Sequence, residues 1–190
     1  MVARSSVDGT TATYPVAETV QVDSQCHTVI VPARVAAETA KQAAAVATAA
    51  VASLAGGGIF GVELFAMPDG SVLLNEIAPR PHNSGHLTIE GCETSQFEQH
   101  VRAVCNLPLG STQQRTPIAA MANLLGDLWT PDGQAPEWIA ALADPSVSLH
   151  LYGKEQAKPS RKMGHLTMTG HDRETVVRRL SDARSKLPQA

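Results

Sequence analysis

The chain has 190 residues, 43% of them apolar and 17% charged, with a net charge of −3. That supports one domain or two small ones sharing an interface, and it excludes a disordered chain. The slight negative charge excludes general attraction to nucleic acid or to an anionic membrane, so any anion must be held by a local cluster.

Three cysteines, Cys26, Cys92 and Cys105, are odd in number, far apart and without C-x-x-C spacing. This argues against a disulfide framework or structural zinc and for a reducing, cytoplasmic setting. The longest weakly polar run, 43–58, is alanine and glycine, too weakly apolar to span a membrane. No signal peptide follows Met1, and the opening VARSS reads like the middle of a strand.

In chain order, TATYPVAETVQV (11–22) and CHTVIV (26–31) alternate as strands, and Pro32 ends the second. Residues 35–55 are alanine-rich and stop at three glycines, which predicts a helix rather than a low-complexity linker. IFGVELFAM (59–67) and SVLLNEIA (71–78) flank Asp69-Gly70, a hairpin signal. Ser95 to Glu98 form a capping box opening a helix that carries Phe97, Val101, Val104 and Cys105 on one face. PIAAMANLL (117–125) predicts a strand, WTPDG a turn, and PEWIAALA (136–143) a short helix with proline in its first turn. SVSLHLYG (146–153) and MGHLTMTG (163–170) predict strands around a basic loop, and Asp172 caps a last helix to about Lys186. The expected fold is α/β (α+β), with a main piece over 1–112 and a small β-rich piece over 113–190.

A hairpin centred on Asp69-Gly70 pairs Phe65 with Leu74, Leu64 with Asn75, and Glu63 with Glu76. Directly opposed carboxylates have Cβ atoms ~5 Å apart and repel. Either one is protonated, or a cation sits between them, or both lie on a solvated face, or a three-residue loop slips the register. A cation held by such hard oxygens would be Mg²⁺. The segment that follows, NEIAPRPHNSGH (75–86), concentrates reactive groups. Arg80 offers a planar fork for carboxylate or phosphate. His82 and His86 can move protons, while Asn83 and Ser84 are neutral donors. Pro79 and Pro81 stiffen the run and Gly85 admits close backbone approach. Lys154, Lys158, Arg161 and Lys162 fall within nine residues and can serve a phosphate or simply be solvated.

GVELF (61–65), the run from Leu73 to Gly110, and LHLYGKEQAKPSRKMGH (149–165) together resemble the 5-(carboxyamino)imidazole ribonucleotide synthetase family. These are ATP-grasp enzymes of de novo purine synthesis. YPVAETVQVDSQCHTVIVPAR (14–34) is similar to the fungal type, where the unit forms the N-terminal part of phosphoribosylaminoimidazole carboxylase. The resemblance covers residues 11–170 and implies the C-terminal half of an ATP-grasp domain, with antiparallel sheet and helices, before a small β-rich domain. It implies a carbon–nitrogen ligase, joined in fungi to a lyase (decarboxylase) function. ATP activates bicarbonate as carboxyphosphate, and 5-aminoimidazole ribonucleotide is carboxylated on its exocyclic amine.

By the same resemblance Glu63 and Glu76 hold Mg²⁺, and Asn75 and Glu76 meet the nucleotide. Arg80, His82 and Asn83 serve the carboxyphosphate chemistry. Arg80, Ser84, Lys154, Arg161 and Lys162 bind the ribonucleotide, so Lys154 and Arg161 are expected close to Arg80. The implied partners are these small molecules, the N-terminal half of the same enzyme and, at full length, a second copy in a homodimer; nucleic acid and membrane are not among them. Gln21 stands where relatives often carry a histidine near the nucleotide. The substrate domain and first half of the grasp are not in this chain, nor is the fungal mutase-type domain. The isolated chain is therefore expected to lack turnover. Another ATP-grasp carboxylase or ligase, such as a biotin carboxylase or formate-dependent transformylase, is the alternative enzyme; a non-catalytic truncated remnant is the alternative from another class. SRKMGH (160–165) with PRPHNSGH (79–86) argues against another ligase.

Overall fold

The computed structural model describes residues 1–187. Its contacts divide the chain into two units, Met1–Glu18 with Val31–Arg115, and Thr19–Ile30 with the residues from Thr116 onward. Among the described residues no helix is long and apolar enough to cross a membrane.

In the first unit four strands, β1 (Val2–Arg4), β2 (Thr11–Thr13), β5 (Gly58–Ala66) and β6 (Val72–Ala78), form a sheet in the order β2-β1-β5-β6. All three pairings are antiparallel. The alanine-rich helix α1 runs over Ala37–Ala52, slightly shorter than its sequence signal. It buries Ala43, Ala47 and Val51, one stripe at four-residue spacing. Val51 packs with Val2, Phe60 and Ala47, and partly buried Val62, Leu64 and Ile77 complete the cluster. Burying a valine or phenylalanine so completely contributes roughly 1.5–3 kcal/mol.

The second unit holds a five-stranded sheet of β3 (Glu18–Val22), β4 (Gln25–Val31), β7 (Ile118–Leu125), β8 (Val147–Leu151) and β9 (Lys162–Gly170), in the order β3-β4-β7-β9-β8. Helix α4 (Arg173–Ser185) starts at Asp172, whose carboxylate accepts from the Thr175 N–H at 2.8 Å. Its Val176, Leu180 and Ala183 pack on Leu124, Leu166 and Met168 of the sheet.

Two expectations need correction. The run 11–22 is not one strand: it breaks between Thr13 and Glu18, and its halves join different sheets. Pro15 lies in the break, where a missing N–H donor ends a ladder. The single cut after residue 112 also misses that 19–30 packs with later residues. Ile30 enters the second unit's core, and the Asn123 side chain donates to the Cys26 carbonyl at 2.8 Å. The short helix expected over 136–143 forms at Trp138–Ala143 and is of the 3₁₀ type.

Candidate functional site

The β5–β6 hairpin closes through a three-residue loop, Pro68-Asp69-Gly70, with Met67 N–H donating to Ser71 O at 2.9 Å. Gly70 takes φ +85°, which an L side chain resists. The Asp69 carboxylate accepts from Ser71 N–H at 2.9 Å and Ser71 Oγ at 2.6 Å, and these bonds hold its pKa below the ordinary value. This loop shifts the expected register near the tip: Phe65 faces Leu73 and Leu64 faces Leu74. An irregularity then follows between Leu64 and Glu63, leaving Asn75 as an extra residue, and Glu63 pairs with Glu76. The two carboxylates face one another as expected, but a bulge rather than a symmetrical hairpin puts them there.

His82 joins them. One ligand atom from each of Glu63, Glu76 and His82 lies within 4.8 Å of the other two. His82 Nε2 is 3.6 Å from Glu63 Oε1, and His82 Nδ1 is 2.8 Å from Ser84 Oγ. Gly61 makes this approach feasible, since a Cβ there would come within 2.6 Å of the His82 Cβ. The two carboxylates, partly open to solvent, fit a hard divalent cation that keeps several waters, with the His82 imidazole beside them.

The rest of 79–86 is folded tightly. Arg80 N–H donates to Ala78 O at 2.8 Å, and its exposed guanidinium donates to Pro81 O at 3.1 Å. Asn83–Gly85 make one 3₁₀ turn, closed by His86 N–H to Asn83 O at 3.1 Å. Ser84, read from the sequence as a substrate donor, has its hydroxyl on His82. A four-residue helix, α2 (Thr88–Gly91), leads to α3 (Gln96–Val104).

Helix α3 begins at the expected cap. Ser95 caps it, its hydroxyl accepting from Glu98 N–H at 3.2 Å. The face carrying Phe97, Val101, Val104 and Cys105 is nevertheless exposed, with Val101 53% accessible. The helix buries Gln96 and Gln99 completely, together with Ala103. Sequence reasoning missed Gln96, whose side chain grips the 82–86 segment; glutamine in a first helical turn gives no signal of burial.

In the second unit the basic loop after β8 is held at its base. Ser160 N–H donates to Asp127 Oδ2 at 2.9 Å and Gly126 N–H to Arg161 O at 2.8 Å. A Cβ on Gly126 would collide with the Lys158 carbonyl. Lys154 Nζ donates to Lys162 O at 2.6 Å and lies 5.4 Å from the centre of the Tyr152 ring, a cation–π distance. The Tyr152 hydroxyl meets the Nδ1 of buried His165 at 2.9 Å, and His165 stacks on His150 at 4.5 Å. Partial burial, and then the charges of Arg161 and Lys162, lower the pKa of Lys154. Lys154, Arg161 and Lys162 thus lie near enough for their charges to act on one another. Gln21 is exposed on β3.

Residues 1–97 match the family model of the ATP-grasp domain, and 119–179 match that of the phosphoribosylaminoimidazole carboxylase C-terminal domain. The chain belongs to the ATP-grasp family. Within that family its likeness is to the N5-carboxyaminoimidazole ribonucleotide synthetases. It is 46% identical over 189 residues to phosphoribosylaminoimidazole carboxylase of Schizosaccharomyces pombe, covering 94% of this chain and 33% of that protein. The crystal structure of the Thermotoga maritima synthetase matches with a TM-score of 0.84 and 46% identity, over 97% of this chain and 49% of that one. An Aspergillus clavatus synthase solved with ADP and 5-aminoimidazole ribonucleotide matches with a TM-score of 0.86 and 40% identity, over 98% and 49%. The chain spans about a third of the length of the curated fungal relatives it matches.

Proposed function

We propose that this chain supplies part of the active site of an ATP-dependent enzyme that carboxylates 5-aminoimidazole ribonucleotide with bicarbonate in purine synthesis. The observation that carries the reading is the facing pair Glu63 and Glu76 with His82 beside it. Glu63 and Glu76 hold Mg²⁺, which when bound neutralises the triphosphate's charge. Asn75 and Glu76 meet the nucleotide. Arg80 offers its fork to the carboxyphosphate formed when bicarbonate displaces ADP. His82, held on Nδ1 by Ser84 with Nε2 beside Glu63, moves a proton, and Asn83 donates a neutral hydrogen bond. Lys154, Arg161 and Lys162, with Arg80 and Ser84, bind the ribonucleotide. The three widely spaced thiols support a cytoplasmic setting, and a homodimer is proposed for the polypeptide of full length.

The test uses a polypeptide of the relatives' length that contains this chain. ADP release should require both bicarbonate and 5-aminoimidazole ribonucleotide, and labelled bicarbonate should appear on the exocyclic amine. ADP release supported by formate instead would favour a transformylase and overturn the reading.

A further inference from the structure

We propose that Gln96 is the positioning residue that sets His82 over the carboxylate pair; this rests on the role given to His82 above. The Gln96 side chain is completely buried at the start of α3. Its Oε1 accepts from the His82 N–H at 2.9 Å, and its Nε2 donates to the His82 carbonyl at 2.8 Å. One carboxamide thus grips both backbone groups of a single residue, as a neighbouring strand would. This fixes which end of the amide is oxygen, because only oxygen can accept from the His82 N–H. The second Nε2 hydrogen then meets His86 Nδ1 at 2.7 Å. That nitrogen must be the bare one, so the neutral His86 ring carries its proton on Nε2.

The surroundings are built around the same side chain. A Cβ on Gly85 would come within 2.6 Å of Gln96 Oε1, so the glycine is the space the carboxamide occupies. The Gln96 N–H donates to Thr88 Oγ1 at 2.8 Å, and that hydroxyl donates to Gly85 O at 2.6 Å. The His82 ring is therefore held twice, through its backbone by Gln96 and at Nδ1 by Ser84, which leaves Nε2 3.6 Å from Glu63. Reacting groups misplaced by about 1 Å can lose about a hundredfold in rate. Gln96, completely buried, acts through His82.

Two experiments test this. In the polypeptide of the relatives' length, Gln96→Met keeps side-chain volume and removes every bond. It should lower kcat roughly tenfold or more while KM for ATP stays within about twofold. Gly85→Ala should give a similar loss alone, yet cost less than about twofold further in a Gln96→Ala background, because the methyl then has room. Independently of catalysis, histidine-labelled NMR of the 190-residue chain should show His86 protonated on Nε2, a signature lost in Gln96→Met. A Gln96→Met enzyme that unfolds cooperatively and keeps wild-type kcat overturns the proposal, as do additive losses from the two positions or an unchanged His86 tautomer. If the parent enzyme shows no bicarbonate-dependent turnover, the functional reading fails, and the positioning of the loop is decided by the NMR result.

Discussion

Glu63 and Glu76 are partners across β5 and β6 because Asn75 is an extra residue in β6. The three-residue loop alone would set Glu63 against Asn75 and turn Glu76 to the other face of the sheet. The bulge restores the pairing just before the chain enters the 79–86 segment. Deleting Asn75 should therefore preserve the facing carboxylates and the Mg²⁺ requirement of ADP release, while raising KM for ATP if Asn75 meets the nucleotide. Inserting an alanine between Leu74 and Asn75 should reverse Glu76 and abolish Mg²⁺ dependence, because a one-residue slip flips every side chain beyond it. Glu76→Gln should raise the Mg²⁺ concentration needed for half-maximal rate. A Mg²⁺ titration of the full-length polypeptide measures all three.

The basic loop predicts a selective defect. Arg161→Ala should raise KM for the ribonucleotide by roughly ten- to a hundredfold, the usual effect of losing a charge-assisted contact. KM for ATP should stay close to its starting value. Initial-rate kinetics with each substrate varied in turn decide it, and equal effects on both would point to a folding defect instead.

Lys154 adds a pH dependence. Its pKa is lowered by partial burial and by Arg161 and Lys162, so it gives up its proton at lower pH than an ordinary lysine. Ribonucleotide binding should accordingly weaken as pH rises through that lowered value. Lys154→Arg keeps the charge and should remove this alkaline limb from a plot of KM against pH.

The second unit should be acid-sensitive through Asp144. Arg179 donates to both carboxylate oxygens, at 2.6 and 2.8 Å, and Ser146 N–H adds a third bond at 3.0 Å. These contacts, Arg179 first, lower the Asp144 pKa. A depressed folded pKa means the contribution is fully present above the ordinary carboxylate value and is lost as pH falls through the folded one. Asp144→Asn should lower Tm by a few degrees at neutral pH, and the gap should close on acidification. Thermal melts of both proteins across that range give the answer.

Strand and helix positions were largely legible because alternation, the alanine run and the glycine stops are local signals. The facing of Glu63 and Glu76 was legible too, though it was read from a symmetrical turn, with the three-residue loop only an alternative that would slip the register, and the bulge was not foreseen. Bulges leave little trace in sequence because any residue can be the extra one. The outward turn of the α3 apolar face was not legible, because an apolar stripe normally turns inward. Here the carboxamide oxygen and nitrogen of both Gln96 and Gln99 find hydrogen-bond partners inside, and that offsets their desolvation. The placement of 19–30 with the second unit depends on non-local pairing, which no local pattern encodes.

The two buried glutamines of α3 also have a consequence for motion. Gln96 clasps the N–H and carbonyl of His82, and Gln99 clasps those of Gly110 at 2.8 Å each. Neither His82 nor Gly110 lies in a helix or strand. Their amide hydrogens should still exchange with deuterated water as slowly as those of a paired strand. Both should be released by the same event, the lifting of α3, so that two loops far apart along the chain open as one cooperative unit.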